Sequence, residues 1–357
     1  MSDDSFGDVT AEYLSLRREA GLVEGEHALT WVRGPEAVAF LDGLLTQHLA
    51  PLPPGGTARS LLLGPQGKLR ATLWVLRGDG EVGLVSERDR REAVVEDLRR
   101  FRIRVEAEIE PEEQPVVELW GPRAVEVLKA ADLPVPEGWT GEGDLVVIRA
   151  PLGPLDRFFL VGVEPTVLVE AGAQRSGALA ARAVRVEAGE PLMGRDLDEG
   201  TIPHESGLVP QAVSFAKGCF LGYELVERIE SRGRARAELR GVEIRENVLP
   251  PEGAEVTAGD KVLGRLTSVA ESLTLRAPVG LAVVRREVEP GMEVEVRWPG
   301  GRARARVRAL PMDDFTESPT PPPGGEGQGP GGLGGKADRD RWAVTSFRRP
   351  PKRGGRP

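Results

Sequence analysis

Two stretches decide the fold: "ALTWVRGPEAVAFLDGLL" (Ala28–Leu45) and "PVVELWGPRAVEVLKAAD" (Pro115–Asp132). Each reads as a short apolar strand, then Gly-Pro-x-Ala-Val, then a helix. Proline suits the first helical position, where its missing N–H breaks no bond. Val38, Leu41, Leu44 and Leu45 recur at helical spacing and mark one buried face, and Val125 and Leu128 do the same in the second stretch. One such turn arises by chance, but repetition of the whole strand–turn–helix unit favours two related α+β units.

Between the copies lie strand-like runs at Thr57–Gly64, Lys68–Arg77 and Glu81–Ser86, with Gly67 marking a hairpin turn. Ser86 is placed to cap a helix over "ERDRREAVVEDLRRF", and Ile103–Glu110 alternates as a strand. After the second copy come "DLVVIRA", "RFFLVGV" and a helix near Thr166–Ala173. From Arg236 the pattern changes to short strands separated by Gly, Pro and Asp, which suggests a small closed or nearly closed antiparallel barrel. The expected divisions are a first lobe over 8–114, a second over 115–232, a barrel over 233–312 and a linker with a basic tail over 313–357.

The 357 residues are enough for two or three domains, and no apolar run is long enough for a membrane helix. The acidic start "MSDDSFGDVTAEY" does not read as a signal peptide, and a single cysteine fits a reducing cytoplasm. His27, His48 and His204 are scattered, no Cys/His cluster has metal spacing, and no resident metal is expected. The formal charge of −9 is uneven: Lys336–Pro357 holds eight Lys/Arg against two Asp, leaving −15 for the remainder. Ser318–Gly335 is nearly all Pro, Gly and Ser, the composition of a disordered linker. The tail beyond it is either a solvated basic end or, through its arginines with Trp342 and Phe347, a site of weak nucleic-acid contact.

Three segments carry a resemblance. They are "AEYLSLRREAGLV…VRGPEAVAFLDGLLTQHL" near the N-terminus, "RVEAGEPLMGRDLDEGTIPHESGL" (Arg185–Leu208) and "KGCFLGYELVERI" (Lys217–Ile229). Together they resemble the aminomethyltransferase-like (GcvT) superfamily, and the third is similar to the signature of its YgfZ-type folate-binding proteins. The resemblance covers roughly residues 11–311. It implies an α+β cloverleaf of two ferredoxin-like domains and a C-terminal antiparallel β-barrel around a tetrahydrofolate pocket. It also implies an accessory role in assembling or maintaining iron–sulfur enzymes, with a link to tRNA modification. The expected partners are therefore a reduced folate and iron–sulfur enzymes or their assembly proteins, with no membrane.

The resemblance makes Glu187 the pterin-binding acid, and a carboxylate suits the adjacent N–H donors of a pterin. The plain alternative is an exposed strand-end glutamate. Cys219 lies between Gly218 and Phe220, with Lys217 close and a helix-like run from Gly222. An ammonium and a helix N-terminus both favour a thiolate, so Cys219 is a candidate functional thiol rather than an inert small hydrophobe. Lys217 is alternatively a contact for a folate glutamate tail, and Gly218, Tyr223 and Glu224 complete the candidate loop. Tyr223 departs from the signature's glutamine, which removes an amide.

The aminomethyltransferases carry paired aspartates on the first hairpin, where "GKLRATL" places Ala71 and Thr72. Neither serves as a carboxylate base, which argues against glycine-cleavage chemistry. Three functions follow: a folate-binding accessory protein, a folate-dependent one-carbon transferase or demethylase, and an RNA-binding adaptor acting through the tail. Arg59, Lys68 and Arg70 read as solvated strand positions, the alternative being the lining of an anion-binding groove, and His204, Glu205 and Asp198 make no acid–base set.

Overall fold

The computed structural model describes residues 4–313 and 315, so the expected linker and tail over 313–357 lie outside the described residues except for 313 and 315. The fold is α+β with a closed C-terminal barrel. The first lobe is a five-stranded sheet in the order Thr57–Leu63, Leu69–Arg77, Glu81–Glu87, His27–Arg33, Glu108–Pro111. Its helices are Ala37–Leu44 and Arg91–Phe101. The second lobe has six strands, ordered Gln174–Arg175, Gly21–Glu24, Val117–Trp120, Arg157–Val161, Leu145–Arg149, Trp139–Glu142. The sheets meet through a core in which Leu29, Trp31, Leu76 and Val85 pack with Val146, Ile148, Phe159 and Val161.

The repeated turn survives in three dimensions. Gly34 and Gly121 both hold positive φ, 137° and 122°. A Cβ on Gly34 would lie 2.4 Å from the Glu106 carbonyl, and one on Gly121 would lie 2.3 Å from that of Glu19. Only glycine allows this approach. The helices start later than the sequence suggests. Each turn is closed by the Ala37 or Ala124 N–H bonding the carbonyl of Gly34 or Gly121, at 3.1 and 3.0 Å. Pro35 and Pro122 therefore belong to the turn and precede the helices Ala37–Leu44 and Ala124–Ala130.

Two further expectations change. Ser86 does not cap a helix, because it pairs with Ala28 inside the sheet and the helix begins at Arg91 after a single 3-10 turn. The strand expected over Ile103–Glu110 is confined to the edge segment Glu108–Pro111. The lobes also trade segments: Gly21–Glu24, inside the expected 8–114 unit, pairs with Val117–Trp120 of the second sheet. The barrel runs Ala237–Ile244, Ala277–Arg285, Lys261–Ser272, Glu255–Ala258, Glu293–Trp298, Gly301–Arg308 and closes on itself. Helix Ala178–Ala188 packs between the N-terminal helix Val9–Arg18 and the barrel strand Lys261–Ser272. No helix among the described residues is long and apolar enough to cross a membrane.

Candidate functional site

A polar seam interrupts the apolar core where the two sheets meet. Register places Glu87 beside His27, and Thr72 Oγ1 donates to Glu87 Oε1 at 2.7 Å. The Met193 N–H also reaches that oxygen at 3.1 Å, while Glu87 Oε2 is buried without a partner. Across the seam, His27 Nδ1 and Glu118 Oε1 lie 2.6 Å apart, and Trp120 Nε1 donates to Glu118 Oε2 at 2.9 Å. Helix Ala178–Ala188 ends on the left-handed Gly189, and the turn delivers Glu190 into the seam. Arg59 grips Glu190 with both terminal nitrogens at 2.6 and 2.7 Å. Arg157 Nη2 approaches the same carboxylate at 3.6 Å. A cavity of about 50 Å³ opens here, with His27, Glu118, Trp120, Arg157 and Glu190 on its walls.

These charges are kept in a buried place by one another. Burial alone opposes ionisation of Glu118, but the His27 charge and its hydrogen bond outweigh it and hold the carboxyl below the usual range. Glu190 is held low in the same way, burial being overcome by Arg59 and Arg157. Burial disfavours the His27 cation, yet Glu118 raises its pKa above the ordinary 6.5. The sign of the pH dependence follows. The His27 contribution to stability is complete below its unfolded pKa and is lost as pH rises through the raised folded value. Urea unfolding between neutral and mildly alkaline pH is expected to show this decline, and His27→Gln to abolish it. A decline of equal size in the variant rules the pair out as its source.

Glu187 lies elsewhere. It sits on the helix Ala178–Ala188, fully buried, so it is neither exposed nor at a strand end. Tyr13 donates to Glu187 Oε1 at 2.7 Å, while Glu187 Oε2 has no hydrogen-bond partner and faces Arg17 Nη1 at 3.8 Å. Burial raises its pKa. The segment leading out of the barrel covers this spot. The Met312 N–H bonds the Glu187 carbonyl at 2.7 Å, Asp313 pairs with Arg17, and the Phe315 ring lies 3.8 Å from the Arg17 guanidinium.

The cysteine loop is a third place. Gly67 and Gly222 hold the loop against the first hairpin, since a Cβ on Gly222 would lie 2.7 Å from Gly67 Cα. Cys219 is exposed and lines a shallow depression with Gln66, Glu224 and Arg228. Tyr223 begins the helix Tyr223–Arg232 and meets Phe220 edge-on at 5.1 Å. Lys217 is buried and does not line that depression. Its ammonium donates to the carbonyls of Asp42, Leu45 (2.8 Å) and Gln47 (3.0 Å), at the end of helix Ala37–Leu44. All three donors are thereby used, and burial lowers its pKa. Its observed role is to cap that helix and anchor the loop.

The model of the GCVT N-terminal domain family matches residues 2–134, and that of the glycine cleavage T-protein C-terminal barrel domain matches residues 238–314. A Rubrobacter xylanophilus aminomethyltransferase is 32% identical, covering 82% of this chain and 83% of the relative. The chain belongs to the glycine cleavage T-protein family. A Thermus thermophilus aminomethyltransferase is 30% identical over 86% of the chain and 91% of its own length. The crystal structure of glycine cleavage system aminomethyltransferase T from Bartonella henselae superposes with a TM-score of 0.79 at 25% identity. It spans 86% of this chain and 90% of its own.

Within this T-protein-family fold, the residues singled out from sequence occupy separate places. Lys217, Gly218, Cys219, Tyr223 and Glu224 share one loop and helix start, whereas Glu187 lies on the helix Ala178–Ala188, against the N-terminal helix. The seam of Arg59, Glu118, Arg157 and Glu190 was not anticipated, and Arg59 in particular is buried rather than solvated. The available signal was a charge inside an apolar strand, as in "VVELW" and "TARSLLL". Ala71 is in the core of the first lobe, and the Thr72 hydroxyl is committed to Glu87.

The fit to a reduced folate is chemical before it is spatial. Glu187 Oε2 is a buried acceptor without a donor, which a pterin N–H would satisfy. The space over it is taken by Arg17, Asp313 and Phe315, so a pterin reaches Glu187 only if that segment lifts.

Proposed function

We propose that this chain is a reduced-folate-binding accessory protein of the YgfZ type, serving the assembly or maintenance of iron–sulfur enzymes, without glycine-cleavage turnover. The observation that carries the reading is the first hairpin. Where transfer chemistry asks for carboxylates, Ala71 is core-buried and Thr72 is a hydrogen-bond donor to Glu87. The exposed Cys219, presented by a loop that Lys217 pins from below, supports a thiol acting on a partner protein. Tetrahydrofolate is the ligand, Glu187 its pterin acceptor, and the cytoplasm its compartment.

Calorimetric titration with tetrahydrofolate tests the reading at its base. Glu187→Ala is expected to weaken binding by about 1.5–3 kcal/mol, the range for a hydrogen bond to a charged group. Unchanged affinity in a folded variant removes Glu187 from the site. Cys219→Ser is expected to shift stability by no more than about 0.5 kcal/mol, as for an exposed position, yet to impair the activity of iron–sulfur enzymes in complemented cells. Full complementation makes the thiol dispensable.

A transferase reading is favoured by one observation: Glu87 puts a buried carboxylate with a free oxygen directly beside Thr72. The relatives named aminomethyltransferase agree with it.

A further inference from the structure

The cavity in the seam holds a guanidinium whose needs the protein does not meet. Arg157 is 2% exposed, its Nε donates to the Ala150 carbonyl at 2.8 Å, and its Nη2 is buried with no hydrogen-bond partner. The carboxylates within reach are already engaged. Glu190 is held by both nitrogens of Arg59, and Glu118 by His27 and Trp120. The distance of 3.6 Å from Arg157 Nη2 to Glu190 is an ion-pair distance and too long for a hydrogen bond. A buried charged donor left unpaired is costly, and a planar guanidinium edge matches a carboxylate. Arg182 and Arg195 stand on the cavity wall and share the single carboxylate of Glu252, at 3.8 and 3.4 Å, which leaves that side of the cavity electropositive. Glu26 is the one carboxylate on the cavity wall that opposes this field without an ion-pair partner among the described residues.

We propose that this cavity is a binding site for a small carboxylate, held by the guanidinium of Arg157. At about 50 Å³ the space takes a few waters or a small acid and not a folate ring system. The carboxylate belongs either to a free small acid or to the glutamyl end of a bound folate, and only the second source rests on the function proposed above.

The indole N–H of Trp120, which lines the cavity and bonds Glu118, reports on occupancy. Its signal in the nitrogen–proton spectrum of the full chain is assigned with Trp120→Phe and followed during titration with sodium formate, against sodium chloride at equal ionic strength. A saturable shift with formate and none with chloride is expected. Arg157→Gln, shown folded by circular dichroism, is expected to weaken formate binding about tenfold or more, as for loss of a charged hydrogen bond. A flat Trp120 signal in the unmutated chain up to about 0.1 M formate, well beyond millimolar affinity, overturns the proposal. Undiminished binding by the folded variant overturns it too.

Competition separates the sources. Displacement of formate by tetrahydrofolate but not by a tetrahydropterin lacking the glutamyl tail upholds the site and assigns it to the tail. Displacement by neither upholds it as a site for a free acid. Equal displacement by both marks a pterin pocket and overturns the assignment. Formate binding without any folate binding sinks the folate reading and leaves this one standing.

Discussion

Arg59→Ala is expected to lower the unfolding free energy by about 3–5 kcal/mol, the cost of breaking a buried ion pair by removing one partner. The substitution strips both short bonds from Glu190 and leaves that carboxylate, 12% exposed, with only the more distant Arg157. It also removes the guanidinium 5.4 Å from the Trp74 ring. Urea unfolding at neutral pH measures the loss. Acid should narrow the difference. The depressed pKa of Glu190 gives the unmutated chain stability that is present above the unfolded value of 4.5 and lost as pH falls through the folded value. A double substitution of Arg59 and Glu190 to methionine should recover only part of the loss, because Glu190 is also the carboxylate facing the buried Arg157, whose charge is then left without its partner. A cost under about 1 kcal/mol, the range of exposed pairs, would show the bridge to be solvated in solution.

The second large effect is catalytic. In an exchange assay with glycine, lipoylated carrier protein and tetrahydrofolate, this chain is expected to run about 10²–10⁴-fold slower than a relative with carboxylates on the first hairpin. That is the usual contribution of a positioned acid or base. The reason is local: Ala71 offers no proton-carrying group, and Thr72 spends its hydroxyl on Glu87. Turnover within tenfold of such a relative would reject the accessory reading. Glu87→Gln, which keeps the shape and removes the charge, would then decide whether Glu87 supplies the missing carboxylate.

The two outcomes are coupled through a single feature of the molecule. Thr72, Glu87, His27, Glu118, Arg157, Glu190 and Arg59 form one continuous polar seam between the sheets. Burying so many charges is tolerated because each has a partner on another strand or on the turn after helix Ala178–Ala188, and the exceptions are the free oxygen of Glu87 and the free nitrogen of Arg157. Stability and ligand chemistry are set at the same place, so a substitution meant to probe one has to be checked against the other.

Local pattern was enough for most of the elements, though not for the helix starts at Ala37 and Arg91 or the extent of the edge strand Glu108–Pro111. Helical spacing at Val38, Leu41 and Leu44, short strands parted by turns in the barrel and the repeated Gly-Pro turn are properties of neighbouring residues and are present in the structure, whereas Leu45 lies just past the helix in extended backbone. The Cys219 loop was legible for the same reason, as a short motif at a helix start. The exchange of Gly21–Glu24 into the second sheet was not, since strand pairing joins residues about a hundred positions apart.

The amino-acid order by itself determined the two repeated units, the barrel and the placing of Cys219 in a loop just ahead of a helix, because hydrophobic period and turn chemistry act over a few residues. Tertiary structure alone decided that Lys217 caps a helix, that Glu187 turns toward Tyr13, and that Arg59, Glu118, Arg157 and Glu190 meet inside the protein. A charged side chain has the same short-range signature whether solvated or buried. Which it becomes depends on whether a distant segment brings it a counter-charge as the sheets close.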